Sequence, residues 1–400
     1  MKLSKLSQSY LSSKKISLIK VPPKILQFGT GILLRGLPDY FIHNANQHNV
    51  FNGSVVVVKS TINGSIDDFK IQNNLFTHFI SGIKNGEKIQ NYFINQCIYE
   101  VLEAQKDWHK ILEYATTDSI EIIISNVTEK GLAIENNDNI STTPNSYPAK
   151  LVSILYTRWK HFKGAENKGL IILPTELISK NGTLLKQLVL ELALKHKLTP
   201  EFIEWIQHSN EFCNTLVDRI VTSFKPLKNA LDYSDSLQIN SEPFALWAIE
   251  IHNKKNIKKL TFTEVNQEII ITQNIEKYTE LKLRILNATH TIMCGICLIA
   301  NIESVYQALQ NNKIKTLFIN LIFKEIIPCI TYQSTISVVE AEDFAHKIME
   351  RFSNPFSEHQ WESISFNFEE KMKNRVCYLI EKYIKIYNKF PKIMGLGFAS

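Results

Sequence analysis

Residues 24 to 61 restrict the fold more than any other stretch. Lys24-Ile-Leu-Gln-Phe28 is a short apolar strand that runs into Gly29-Thr-Gly31 and then a helical stretch from Leu33 to about Asn46. A second strand, Ser54 to Thr61, follows at the distance of a βαβ unit. Two glycines permit a tight turn and let backbone N–H groups approach a pyrophosphate where the helix begins. The full G-x-G-x-x-G pattern is not reached, because position 34 is leucine. The second strand ends in Val58-Lys59-Ser60-Thr61 and offers no carboxylate for an adenosine ribose. Lys59 would tolerate a 2′-phosphate, and Ser60 and Thr61 would serve a free ribose, so this strand does not choose between NAD and NADP.

The pattern continues as α/β as far as residue 228. Alternation from Leu75 to Ile98 around Lys84-Asn-Gly86-Glu predicts an inserted hairpin, and a helix follows over 104–115. Glu121-Ile-Ile-Ile-Ser125 reads as a parallel strand, with Asn126-Val-Thr-Glu-Lys-Gly131 at its carboxyl end, either a plain turn or a cofactor loop. A helix from Pro148 to about Phe162, a strand over Gly169–Pro174 and a helix from Thr183 to Lys195 complete the alternation. Asp218-Arg219 is by itself an ordinary local ion pair.

Between Phe224 and Pro243 the composition turns polar, which divides the chain. The expectation is an N-terminal extension over 1–20, a Rossmann-type dinucleotide-binding domain over 21–228, and a mostly α-helical catalytic domain over 229–400. The first 38 residues hold no acid and read as a loosely ordered extension rather than a secretory leader.

Within the helical part, Lys282, Asn287 and His290 interrupt an apolar run. At about 100° per residue they fall at roughly 0°, 140° and 80°, so all three can line one side of a cleft. Such a trio suits an alcohol or ketone: the lysine moves the hydroxyl proton while asparagine and imidazole hold the oxygen. An amphipathic helix with a snorkelling lysine and a satisfied histidine fits the same pattern.

Composition excludes several classes. A net charge of +6, from 45 basic and 39 acidic residues spread along the chain, does not indicate nucleic acid. No window approaches the length of a membrane span. Six scattered cysteines suit a reducing cytoplasm rather than a disulfide scaffold. Cys294-Gly-Ile-Cys297 with His290 reads as buried helix residues rather than a metal site.

Several blocks carry a family likeness. They are Ile25-Leu-Gln-Phe-Gly-Thr-Gly31 with Arg35, Ser125-Asn-Val-Thr-Glu129 with Gly131, Ser146-Tyr-Pro-Ala-Lys-Leu151, and Leu173-Pro-Thr-Glu-Leu-Ile178 with Asn181-Gly182. Phe212–Val221, Ile285-Leu-Asn-Ala-Thr-His-Thr291, and Arg351-Phe-Ser-Asn-Pro-Phe356 with His359-Gln360 extend it over nearly the whole chain. Together they resemble the mannitol dehydrogenase family of long-chain polyol and sugar-acid dehydrogenases, with more likeness to the sugar-acid branch. The resemblance implies NAD as cofactor, a small sugar-acid substrate, and hydride transfer. Lys282 would be the general acid/base, with Asn287 and His290 polarising the reacting oxygen. It places Gly29, Gly31, Val127, Glu129, Val217 and Asp218 at the cofactor, and Asn181, His359, Lys371 and Arg375 at the substrate. A free lysine, with a pKa near ~10.4, would need burial to serve as a base. A mannitol- or fructuronate-type activity, or an inactive cofactor-binding homologue, are the alternatives. Ala288 stands where the family often has glycine, Lys371–Cys377 lacks the family's proline, and the chain stops where relatives continue, so the C-terminal part is expected to be cut short.

Overall fold

The computed structural model describes residues 4–135, 137–223, 231–356 and 359–400, with the side chains of Glu129 and Lys130 left out. The chain forms two compact units: one of residues 1–79, 91–241 and 245–275, the other of 80–90, 242–244 and 276–400.

The first unit is built on β1 (Pro23–Phe28), β2 (Ser54–Lys59), β3 (Ile98–Glu103), β4 (Ile122–Ser125), β5 (Ile171–Pro174) and β6 (Glu211–Phe212). Among the described residues they pair in the order β3-β2-β1-β4-β5-β6, every pair parallel. That is the doubly wound Rossmann order, whose direction reverses between β1 and β4. The central strands are apolar on both faces because helices cover both. Ile25, Leu26, Val55 to Val58 and Ile122 to Ile124 are all buried. The helices are α1 (Ile32–Gly36), α2 (Pro38–Gln47), α3 (Ala104–Ala115), α4 (Tyr147–His161), α5 (Asn181–Lys195) and α6 (Pro200–Ser209). The single helix expected after the glycine turn is therefore two, since Pro38 lacks the N–H needed to continue α1 and instead opens α2. In α4 the Ser146 hydroxyl accepts from the Ala149 N–H, and Pro148 occupies the first turn.

Two expectations about boundaries are corrected. The stretch beyond residue 228 is not wholly helical, and residues 245–275 belong to the first unit. There β8 (Leu246–Glu250) pairs antiparallel with β7 (Asn214–Asp218) and parallel with β9 (Ile269–Thr272). Trp247, Ile249 and Phe262 join the core on that side of the parallel sheet. The boundary expected at 228/229 falls among residues 224–230, outside the described residues, and the described part of the polar stretch holds two short strands, Tyr233–Ser234 and Ile239–Ser241, still within the first unit. The N-terminal segment is also ordered: Ser4–Lys5 pairs with Tyr233–Ser234, and Leu6 and Leu11 are fully buried against Leu75 and Tyr233. Its lysines hid this from a composition argument, because two leucines suffice to anchor so short a segment.

The expected hairpin is present as Phe76–Lys84 and Glu87–Asn95, turning at Asn85-Gly86. Its tip, residues 80–90, is counted with the second unit. There α7 (Thr289–Ile299), α8 (Val338–Phe352), α9 (Tyr378–Tyr387) and α10 (Lys392–Ala399) pack around one apolar core. A capping box of Ser337 and Glu340 starts α8. The buried Glu325 carboxylate accepts the Ile393 and Met394 N–H groups at 2.9 and 2.8 Å and so caps α10. Three stretches are wound as π-helix: Leu281–Ala288, Leu321–Ile326 and Lys373–Cys377.

Candidate active site

In the first unit the candidate cofactor residues gather where the strand order reverses. Gly29 follows β1 with φ +128°, and a Cβ there would come within 2.7 Å of Leu34 and 3.1 Å of the Asn126 carbonyl oxygen. Only glycine fits this turn. A Cβ at Gly31 would meet no protein atom within 4 Å, so the space before α1 is open. Gly31 caps α1 without a side-chain hydrogen bond, leaving first-turn N–H groups for a ligand. An open, glycine-walled turn of this kind fits the pyrophosphate of a dinucleotide.

Val127 lies beside this turn. Its N–H donates to Glu176 Oε1 at 2.9 Å, and Asn126 Nδ2 donates to the Thr175 carbonyl at 2.9 Å. The loop after β4 is thereby fastened to the end of β5. Glu176 is buried, burial raises its pKa, and its Oε2 has no hydrogen-bond partner among the described residues. Glu129 opens a short 3-10 turn, but its side chain lies outside the described residues. Val217 and Asp218 end β7, opposite Trp247 and Leu246 of β8, and the Val217 side chain is buried.

Asn181 is corrected. It was expected near the reacting oxygen, yet it is fully buried and the two protons of its Nδ2 are shared among the carbonyls of Pro174, Glu176 and Thr215 at 3.0–3.1 Å. Its Oδ1 accepts the Gly182 and Thr215 N–H groups, both at 2.9 Å. With donors and acceptor spent, the side chain ties β5, β7 and α5 together. A cavity of about 700 Å³ lies elsewhere in the unit, lined by Leu18, Lys20, Lys70 and Gln96 among others, and holds none of the candidate residues.

In the second unit, Lys282 and Asn287 sit on the π-wound stretch and His290 on α7. The angles expected for an α-helix therefore do not apply. With i→i+5 hydrogen bonding each turn takes more than four residues, which brings Lys282 and Asn287 nearer to one face than the roughly 140° of an α-helix. Both are half-buried, whereas His290 is buried.

His290 stands among aromatic rings: Phe352 at 4.6 Å between centroids, His359 at 5.0 Å and edge-on, Trp361 at 6.2 Å. Burial first, then the charges of His359, Arg351, Arg375 and Lys371, hold its pKa well below the usual histidine value. It is a neutral imidazole, and its Nε2 has no partner among the described residues. His359 is shifted the same way, by burial and then by Arg351.

Lys371 and Arg375 lie one helical turn apart. Lys371 Nζ donates to the Ile364 carbonyl at 2.8 Å, and Arg375 Nη1 donates to Thr291 Oγ1 at 3.2 Å. Thr291 Oγ1 in turn donates to the Asn287 carbonyl at 2.9 Å, linking the two π-wound stretches. Among the described residues neither cation has a carboxylate within ion-pair distance. Burial lowers the pKa of both, with Arg375 adding to the effect on Lys371.

Arg351, by contrast, is paired with buried Glu242 through bonds of 2.8 and 2.7 Å. Glu350 accepts the Asn85 and Gly86 N–H groups, and Asn354 Nδ2 donates to the Ser81 carbonyl. The turn after α8, which leads to His359, is braced by these bonds. Thr291, Arg351 and Glu242 were not singled out as site residues, because their part lies in long-range contacts. Cys294 and Cys297 are buried thiols with raised pKa values, Cys294 facing the Trp361 carbonyl.

A Rossmann unit followed by a largely helical unit is the architecture of oxidoreductases that act on CH–OH groups with a nicotinamide cofactor, and both halves of the chain match that class. The chain belongs to the mannitol dehydrogenase family: the family's Rossmann-domain model matches residues 23–263 and its C-terminal-domain model residues 274–398. Similar relatives include the altronate oxidoreductase of Bacillus subtilis, 34% identical over 95% of this chain and 79% of the relative. That of Halalkalibacterium halodurans is 32% identical over 100% of this chain and 78% of the relative. Among solved structures, substrate-free D-sorbitol dehydrogenase aligns with a TM-score of 0.79 at 20% identity, covering 95% of this chain and 79% of that one. Mannitol 2-dehydrogenase of Pseudomonas fluorescens, in complex with NAD and D-mannitol, gives 0.74 at 18%, covering 99% and 83%. These structures share the fold.

Proposed function

We propose that the protein is an NAD-dependent oxidoreductase interconverting D-altronate and D-tagaturonate. The observation that carries this reading is the pair of half-buried cations, Lys371 and Arg375, without a carboxylate partner among the described residues, in electrostatic reach of a neutral His290. Uncompensated charge at such a place favours an anionic substrate, and a sugar acid supplies a carboxylate. The altronate oxidoreductases among the relatives support the same choice.

NAD, when bound, supplies the carbon that takes or gives the hydride. Gly29, Gly31, Val127, Glu129, Val217 and Asp218 would hold it, the glycine turn offering backbone N–H groups to its pyrophosphate. Lys282 takes the hydroxyl proton in oxidation and returns it in reduction. Asn287 and the open Nε2 of His290 steady the oxygen as its charge changes. His359, set edge-on to His290, fixes that ring and faces the substrate. Asn181 has no part in this scheme. Six free cysteines, five of them buried, suit a reducing cytoplasm, where we place the enzyme.

The deciding experiment follows NADH consumption with tagaturonate, fructuronate and fructose side by side. Turnover fastest with tagaturonate is expected. Turnover confined to fructose, or absent with both uronates, would overturn the reading.

A further inference from the structure

The end of β2 lacks the carboxylate that would take an adenosine ribose, and Lys59 stands there instead. By sequence alone Lys59 would tolerate a 2′-phosphate and its neighbours would serve a free ribose equally well; in the structure the lysine is engaged elsewhere. Its side chain is only 6% exposed, and its ammonium donates to the carbonyls of Thr61 at 2.6 Å and Ile62 at 3.3 Å. The third direction faces the Glu103 carboxylate at 3.6 Å. Two of its three protons are given to carbonyls and the third side faces a carboxylate, so a phosphate would have to compete with Glu103 for this cation.

Glu103 is not there by chance of a long loop. It ends β3, and β3 pairs with β2 so that Lys59 and Glu103 are register partners. Adjacent parallel strands hold such partners about 5 Å apart. The carboxylate missing from β2 is thus supplied by its neighbour, at the same carboxyl edge of the sheet. Lys106 also pairs with Glu103 and, as the first cause, keeps its pKa below the ordinary value. The loop of residues 60–64 folds over the lysine stem, and Ser60 Oγ is buried with no hydrogen-bond partner among the described residues.

We propose that the Lys59–Glu103 pair is the determinant that selects a free adenosine ribose over a 2′-phosphate, so that the site takes NAD and rejects NADP. This rests on the reading of the first unit as the cofactor-binding unit. A phosphate brought to this edge would meet an ionised carboxylate and a cation already held by that carboxylate and two carbonyls. A ribose hydroxyl meets an available acceptor in Glu103. Discrimination is then built by repulsion as well as by attraction.

The test is equilibrium titration of the purified protein with NADH and with NADPH, read by cofactor fluorescence, for the wild type, Glu103→Gln and Glu103→Gln/Lys59→Met. The wild type is expected to bind NADH more tightly by at least about tenfold. Glu103→Gln removes the repelling charge and frees Lys59, shifting the affinity ratio toward NADPH by about tenfold or more. The double variant loses that shift because the freed cation is gone. A wild type that favours NADPH, or a ratio unmoved in Glu103→Gln, overturns the assignment. If the wild type binds neither cofactor, the cofactor reading itself fails and the assignment falls with it.

Discussion

The turn at Gly29–Gly31 and the helix carrying Lys282–His290 both present candidate site residues, but by opposite means. At the turn the side chains are absent, and geometry is enforced by the positive φ of Gly29 and the near contact with Asn126. On the helix the backbone is continuous and the side chains do the chemistry, with the π winding deciding which of them share a face. A backbone site is specified by a few local residues. A side-chain site depends on contacts with segments distant in sequence, such as Arg375 with Thr291 and Phe352 with His290.

That contrast can be broken most directly at Lys282. Lys282→Ala is expected to lower kcat/KM by about 10²–10⁴-fold, the range for losing a general acid/base. Cofactor affinity, measured by fluorescence titration, should change little, because the glycine turn is untouched. Equal loss of both would show that the lysine supports the fold rather than the chemistry. The next largest effect is at the turn. Gly29→Ala is expected to cost about 3 kcal/mol in urea unfolding, from strain at φ +128° and the contact with Leu34. Gly31→Ala has room for its methyl group and should instead weaken cofactor binding with a smaller loss of stability. Matching losses in the two variants would remove the distinction between a strained and an open glycine.

The same contrast explains what could be read from the sequence. Strand–turn–helix alternation is local, so β1, β2, β4, β5 and α3 to α5 follow from apolar runs and glycines with only small shifts at their ends, whereas β3 (Ile98–Glu103) is not among the strands read from the sequence. Residues 245–275 were misassigned because β8 and β9 are stabilised by pairing with β7 and by Trp247 in the shared core, which no local pattern reports. Leu6 and Leu11 were overlooked among lysines and serines for the same reason. At the site, the spacing of Lys282, Asn287 and His290 was visible but the π winding was not, since it comes from tertiary packing rather than residue type. Asn181 had a motif's position and a knot's function, which only its five backbone partners disclose.

The two regions should also respond to pH in opposite directions. In the first unit Asp39 is fully buried, and desolvation pushes its pKa up from 3.8 to about 7 despite Gln27 and Arg35. The folded state then holds a proton that the unfolded state releases, so stability is present at low pH and is lost as pH rises toward 7. Between pH 5 and 8 this group is expected to remove about 2 kcal/mol. Asp39→Asn should flatten that decline, measured by urea melts at both pH values. A variant with the wild-type slope would show that Asp39 is ionised in the fold.

His290 in the second unit carries the opposite sign. Its folded pKa lies well below 6.5, lowered first by burial and then by the neighbouring His359, Arg351, Arg375 and Lys371. The unfolded state therefore takes up the proton more readily, and stability is present above pH 6.5 and is lost as pH falls below it. The slope from this one group is about 1.4 kcal/mol per pH unit, until its folded pKa is reached. Within the range from pH 6.5 to 9 the expected effect on catalysis is the smallest of all: no inflection in the pH profile of kcat/KM belongs to His290. Imidazole ¹⁵N shifts of the folded protein should stay those of a neutral ring down to pH 6. A titration midpoint near 6.5 would mean that solvent reaches the ring, and its role as a neutral partner for the reacting oxygen would be lost.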